Sequence, residues 1–485
     1  MGRSQTRFPW KVLSGPLASA FAYLLLPALP DNQRIVASVF AGAVVLWISE
    51  ALPLAVTAML STLVLGLTGA VEPSKAFASY GDPTIFLFVG SFILAKAMSD
   101  TGLGVRITHW LLSIRAASRS LSAIFLSLGV VATAISLFVS NTATTAMLLP
   151  IGLAIVQSIG EEQRGKPAIG ILLMLTWGSS LAVGTIVGTP PNVIGVKLIS
   201  EATGQRINFV DWAIFAMPIT IVMLLIAWFV LRGMYGTKDV DTRDAWVKSK
   251  EKLRELGPMT DGERSTLAAF GLSLSLWILP GALVYLLGAD NPTAAWLAEH
   301  LPESYAALIG AFALFVLPWR SSTTGYAMSW KSASGIDWGT ILLFGGGIAL
   351  GKATLDTGLA QSVGEAMKGA TGADSTWSIA ALAIGLSIAM SEIASNTAAA
   401  TTVVPIAIGL AEGAGVSPIP AALGAALGSN FGFMLPISTP PNAIVYSSGY
   451  IPPATMMKTG ILFDVISFLV VLGALRLILP MMGLS

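Results

Sequence analysis

Residues 86–103, FLFVGSFILAKAMSDTGL, return as residues 342–359, LLFGGGIALGKATLDTGL, at an offset of 256. Phe88, Gly90, Lys96, Asp100, Thr101, Gly102 and Leu103 recur as Phe344, Gly346, Lys352, Asp356, Thr357, Gly358 and Leu359. Three further landmarks follow in the same order. Ser140-Asn141-Thr142-Ala143 returns as Ser395-Asn396-Thr397-Ala398 at offset 255, and Pro150 returns as Pro405. Gly178-Ser179 returns as Gly428-Ser429, and Thr189-Pro190-Pro191-Asn192 as Thr439-Pro440-Pro441-Asn442, both at offset 250. Landmarks that recur in order at nearly constant spacing mark a duplicated chain.

The surroundings of these motifs are apolar. The 485-residue chain is 54% hydrophobic and 11% charged, with a mean hydropathy of +0.77, whereas soluble proteins carry about 25% charged residues. Runs such as 35–48 and 219–231 approach the ~20 residues that cross a hydrocarbon core. The alternating pattern of an outer-membrane barrel is absent. Spans are expected near 17–29, 34–50, 53–69, 84–99, 168–202, 213–232, 264–288, 303–319, 338–355, 420–450 and 459–482, with hairpin-like stretches at 121–159 and 375–412. The expected fold is therefore an all-α polytopic membrane protein of about 11 transmembrane helices plus two re-entrant hairpins. An N-terminal half, 1–232, precedes a charged linker, 233–263, read as a solvated connection to a C-terminal half, 264–485. The apolar stretch after Met1-Gly2-Arg3 is read as a retained first helix.

With the N-terminus inside and both hairpins returning to the side they leave, 19 of the 27 Lys and Arg residues fall inside and six outside (Arg34, Lys75, Lys197, Arg206, Lys352 and Lys368). That asymmetry supports the orientation and an inner-membrane location. Five crossings then separate the two copies of the 86–103 motif, and an odd number turns the second copy over. An inverted repeat with polar motifs inside apolar segments is the sequence sign of a secondary transporter.

Each Ser-Asn-Thr lies at the turn of a hairpin. Ser136 and Ser140, like Ser391 and Ser395, are four apart, a spacing that stacks them on one helix face. Hydroxyls, amide oxygens and freed carbonyls suit a small cation, whereas Asn and Thr donors with helix N-terminal N–H groups suit carboxylates. The paired prolines of Thr-Pro-Pro-Asn interrupt a helix, and an interruption in lipid is tolerated only where it is buried or lines a cavity. Lys96 with Asp100, and Lys352 with Asp356, are spaced to pair within their helices. Glu392 is an acid at membrane depth beside the second tip, where the first copy has Leu137. Gly345-Gly346-Gly347 suits close helix packing.

Other chemistries are poorly served. There are no cysteines and only two histidines, His109 and His300, both read as interfacial and solvated, so thiolate metal sites and Ser-His hydrolase arrangements have no basis. A passive channel calls for a continuous polar stripe instead of two separate pockets. A formal net charge of +1 gives no sign of a nucleic-acid partner.

The duplicated Ser-Asn-Thr and Thr-Pro-Pro-Asn motifs, across nearly the whole chain, resemble those of the divalent anion:sodium symporters, the family of bacterial dicarboxylate transporters and animal di- and tricarboxylate and sulfate carriers. The resemblance implies a homodimer and elevator-type movement of a transport domain against a scaffold. It implies a first sodium site at Ser136, Ser140, Asn141 and the Gly188 backbone, and a second at Ser391, Ala394, Asn396 and the Ser438 backbone. Substrate carboxylates would meet Asn141, Thr142, Asn396, Thr397, Thr439 and Pro440. Ser391 and Ser438 depart from the Thr and Ala usual there, and both keep or add an oxygen donor. The expected function is sodium-coupled symport of a C4-dicarboxylate such as succinate, malate or fumarate. Sulfate or citrate carriage, or dicarboxylate exchange, is the alternative within the family. Neither binding motif contains a Lys or Arg, so a dianion in this low-dielectric setting has to be balanced by bound cations and helix dipoles.

Overall fold

The computed structural model describes residues 10–237, 242–288 and 290–484. Arg3 and Arg7 near the N-terminus, and Lys238, Asp239 and Asp241 of the linker, lie outside the described residues. The described chain is all helix apart from turns and one isolated bridge between Pro318 and Tyr326.

Three helices open it: α1 (Ser14–Leu25), α2 (Asp31–Ser49) and α3 (Leu54–Leu67). The one-turn α4 (Pro73–Ala76) leads to α5 (Pro83–Thr101), which Asp82 caps by accepting from Thr84 N–H and which ends at Gly102, φ 78°. A left-handed residue at that point is where glycine is favoured. The short α6 (Leu103–Leu112) follows, then the first hairpin, α7 (Leu121–Ser136) and α8 (Asn141–Ser158), and the interrupted pair α9 (Gly165–Ser180) and α10 (Pro190–Thr203). Helix α11 (Phe209–Tyr235) closes the first half.

The linker is partly structured. Helix α12 (Arg243–Glu255) packs on α6, where Trp246 Nε1 donates to the Ser113 carbonyl at 2.9 Å. This corrects the expectation of a solvated connection: Thr242 and Ser249 are buried, because the indole finds both an acceptor and an apolar surface. Arg106 of α6 joins the same region to the next helix, donating to Glu263 at 2.7 Å and to the Gly257 carbonyl at 2.8 Å.

The second half comprises α13 (Asp261–Leu287), α14 (Pro292–His300), α15 (Glu303–Ala313), the one-turn α16 (Trp330–Ala333), α17 (Trp338–Asp356) and α18 (Leu359–Thr371). The second hairpin, α19 (Thr376–Ile393) and α20 (Asn396–Ala414), precedes the interrupted pair α21 (Ile419–Gly428) and α22 (Pro440–Tyr446), and α23 (Pro453–Ile478) ends the chain. The order long helix, short helix, hairpin, interrupted pair, long helix thus occurs twice, and Gly358, φ 74°, stands in the second DTGL motif where Gly102 stands in the first.

Among the described residues, nine helices are long and apolar enough to cross a membrane. Their burial sorts them: the window at α9 is 94% buried, while those at α13 and α23 are 22% and 28% buried. Helix α9 is therefore the centre of the protein, and α13 and α23 carry apolar side chains outward, where a bilayer can cover them. Between helices in lipid, close packing replaces the hydrophobic drive. The Gly345-Gly346-Gly347 run follows that rule: a Cβ there would strike Tyr80, Ala58 or Thr401 respectively, so α17 lies tight against its neighbours.

Candidate functional site

The two hairpin tips and the two helix interruptions meet around one cavity of about 190 Å³. Its wall includes Ser140, Asn141 and Thr142 from the first tip, Ser395, Asn396 and Thr397 from the second, Gly188 to Pro191 from the first interruption, and Thr439 to Pro441 from the second. Of the residues expected from the sequence, Ser140, Asn141, Thr142, Gly188, Asn396, Thr397, Thr439 and Pro440 thus share one wall. Ser136, Ser391, Ala394 and Ser438 are buried outside that wall.

Local geometry explains the tips. Ser140 and Ser395 are the N-caps of α8 and α20, accepting from Ala143 N–H and Ala398 N–H, each at 3.2 Å. Capping by serine leaves the following Asn and Thr in the first helical turn. Ser136 donates to Asn141 Oδ1 at 2.7 Å, and Ser391 donates to Asn396 Oδ1 at 2.7 Å. The same contact therefore exists in both copies. The expected stacking of Ser136 on Ser140, and of Ser391 on Ser395, is not observed, because the chain leaves the helix at each tip before the second serine.

The interruptions are wider than two prolines require. Helix α9 stops at Ser180 and α10 starts at Pro190, with two turns of 3-10 helix, Ala182–Gly184 and Ile186–Gly188, between them. The prolines begin the new helix, where a missing N–H costs no bond. The asparagine of each Thr-Pro-Pro-Asn fastens its own interruption. Asn192 Nδ2 donates to the carbonyls of Val183 at 3.2 Å and Thr185 at 2.9 Å. Asn442 Nδ2 donates to those of Gly432 and Leu435, both at 3.0 Å. Each amide oxygen also reaches the other half: Asn430 Nδ2 donates to Asn192 Oδ1 at 3.0 Å, and Thr176 Oγ1 donates to Asn442 Oδ1 at 2.7 Å. Neither asparagine is among the site residues expected from the sequence; the signal that marks them is their recurrence as the fourth letter of a duplicated motif.

Glu392 is 5% exposed and belongs to the same construction. It accepts from Met434 N–H at 2.8 Å and Leu435 N–H at 3.1 Å, and from the Ser438 hydroxyl. It therefore holds the second interruption, a task that Leu137 has no atoms to perform in the first copy. In the first copy the Thr185 hydroxyl instead donates to the Leu137 carbonyl.

The cavity wall contains no Lys, Arg or His; its charged member is Asp337, the N-cap of α17, beside Thr340 and Leu54. The histidines lie elsewhere. His300 is exposed and its Nδ1 lies 3.0 Å from the Trp296 carbonyl. His109 corrects the expectation of a solvated ring: its Nδ1 is buried without a partner, and burial, with Lys252 nearby, lowers its pKa. Lys96 pairs with Asp100 at 2.8 Å as expected. Lys352 does not pair with Asp356 but with Glu201, at 3.3 Å, while Glu201 and Asp82 hold Lys197 at 2.9 and 2.8 Å. A partner on another helix has displaced the neighbour one turn away.

The sequence of residues 9–484 matches the family model described as the sodium:sulfate symporter transmembrane region. A protein named sodium-dependent dicarboxylate transporter SdcS from Staphylococcus saprophyticus is 32% identical, over 98% of this chain and 92% of its own. The protein of the same name from Staphylococcus aureus is 32% identical over 90% of this chain and 84% of its own. Two solved structures are similar in fold alone. The YdaH transporter of Alcanivorax borkumensis has a TM-score of 0.57 at 14% identity, covering 88% of this chain and 89% of that one. MtrF of Neisseria gonorrhoeae, from a class of antimetabolite efflux pumps, has a TM-score of 0.56 at 13% identity, covering 94% and 96%.

Proposed function

Since the chain belongs to the sodium:sulfate symporter family, as a multi-pass plasma-membrane transporter and not an enzyme, we propose that it carries C4-dicarboxylates such as succinate, malate or fumarate together with sodium ions. The observation that carries this reading is a cavity built from matched halves and lined by hydroxyls, amides and helix N-termini, with no basic side chain in its wall. A dianion there needs cations beside it, since an unbalanced charge is costly away from water. Ser136, Ser140, Asn141 and the Gly188 backbone provide oxygen donors for one sodium ion. Ser391, Ala394, Asn396 and the Ser438 backbone provide them for another. Asn141, Thr142, Asn396, Thr397, Thr439 and Pro440 face the carboxylates.

The two copies are inverted about this cavity, and the protein works as a homodimer. Helices α7 to α11 and α19 to α23 form the body that moves, elevator-fashion, against the remaining helices. Asp337 is exposed and lines the cavity together with the half-buried Leu54 and Thr340, and all three fall at the cytoplasmic ends of their helices in the orientation set by the basic residues. The state described is then inward-facing. The ion pairs of Asp82, Lys197, Glu201 and Lys352 tie the two bodies together on the opposite side.

Uptake of labelled succinate into proteoliposomes tests the reading. Accumulation is expected with a sodium gradient and is expected to vanish when potassium or choline replaces sodium. Equal accumulation in the three media would replace symport with exchange or proton coupling, and competition by sulfate but not by dicarboxylates would move the substrate to an inorganic dianion.

A further inference from the structure

Matched pairs line the cavity: Ser140 with Ser395, Asn141 with Asn396, Thr142 with Thr397, and Thr189 with Thr439. A dianion with two equal ends meets equal partners there. Asn430 breaks the symmetry. It lies in the wall, whereas Ser180, its counterpart at the repeat offset of 250, does not. The amide is fully buried, and its Nδ2 donates to Asn192 Oδ1 and to the Ala426 carbonyl, each at 3.0 Å. Exchanging the amide oxygen and nitrogen would set an oxygen against two acceptors, so the orientation is fixed. Its backbone carbonyl accepts from Asn396 Nδ2 at 3.4 Å, which puts the residue beside the second tip. Yet Oδ1 is buried and has no partner, and such acceptors are rare because leaving them unpaired is unfavourable.

The chemistry of the orphan atom is one-sided. A threonine hydroxyl can turn to donate to a carboxylate, but an amide oxygen only accepts. Neither end of an unsubstituted dicarboxylate offers it a proton, whereas a hydroxyl on the carbon chain does. We propose that Asn430 is a specificity-determining residue that favours 2-hydroxydicarboxylates over unsubstituted ones by accepting the hydroxyl proton through Oδ1. The proposal rests on the reading of the cavity as a dicarboxylate site. Because Asn430 stands on one side of an otherwise paired wall, it also selects between the two enantiomers.

The test is inhibition of sodium-driven labelled-succinate uptake by unlabelled succinate, L-malate and D-malate, using the full chain in proteoliposomes. The wild type is expected to bind one malate enantiomer about 2- to 12-fold more tightly than succinate, the range of one neutral hydrogen bond. Asn430→Ser, which installs the first-copy residue, is expected to weaken both ligands and to remove most of the malate preference. An equal loss for both ligands would make Asn430 structural. A shift in sodium half-saturation with an unchanged malate-to-succinate ratio would make Oδ1 a cation ligand. Either result overturns the proposal. If the variant fails to reach the membrane, the wild-type comparison decides alone: equal inhibition by succinate and both malates overturns the inference while leaving dicarboxylate transport intact. Absence of any dicarboxylate uptake removes the underlying reading as well.

Discussion

Asn442→Ala separates a staple from a ligand, because the Asn442 side chain holds the site together without entering its wall. The substitution deletes the donor to the Gly432 and Leu435 carbonyls, both at 3.0 Å, and the acceptor for Thr176 at 2.7 Å. Three neutral bonds, two of them buried and one part-buried, at about 0.5–1.5 kcal/mol each, give roughly 1.5–4.5 kcal/mol. Water entering from the adjoining cavity can resolvate the freed carbonyls, which draws the value toward the lower end. The cost falls on the conformation in which residues 429–439 are in place. Half-saturating concentrations rise as that competent fraction falls, so sodium and substrate are both expected to bind about 10- to 100-fold more weakly. Sodium-dependent succinate uptake measured against concentration provides the readout, with melting in detergent as the companion measurement. Asn192→Ala removes the corresponding bonds to Val183, Thr185 and Asn430 and is expected to behave alike. Unchanged half-saturation in either variant, with protein present in the membrane, would refute the idea that these asparagines set the geometry of the interruptions.

Asn141→Ala and Asn396→Ala each delete an amide at a tip, and each is expected to weaken substrate and sodium binding about 10- to 150-fold, the cost of a bond to a charged group, while membrane insertion and the wild-type elution position in detergent size-exclusion are retained. Glu392→Ala removes the acceptor of Met434 N–H, Leu435 N–H and the Ser438 hydroxyl and is expected to lower uptake more than tenfold, about the effect of 1.4 kcal/mol, whereas Leu137→Ala at the matching position is expected to change it far less; equal effects would deny the clamp. Single cysteines at Ala143, half-buried here, and Ala398, fully buried, are expected to respond oppositely to an impermeant thiol reagent as gradients shift the protein between its two states, with sodium and succinate protecting both. Labelling of both from one side under every condition would end the inverted alternating-access reading.

The duplication, the helical membrane class and the tip and interruption motifs are all legible in the chain before it folds. Those signals are local: a serine N-cap, a proline at the first helical position and a glycine in the left-handed region act on neighbours within a few residues, so they are written in short words that a repeat makes visible. The pairing of Ser136 with Asn141, and of Ser391 with Asn396, needed only the tip to turn as the motif dictates. Other contacts exist only once distant segments pack. Thr176 meets Asn442 across 266 positions and Asn430 meets Asn192 across 238, and no periodicity links such residues. Lys352 had an acid one helical turn away and took Glu201 instead, because the packing of α10 against α17 brought a second carboxylate within reach. Glu392 was visible as an acid in an apolar segment, but its work as a clamp depends on where residues 434–438 are folded back to meet it. Local rules place each polar group at the edge of a helix; which polar group faces it across the cavity is fixed only when the two halves pack.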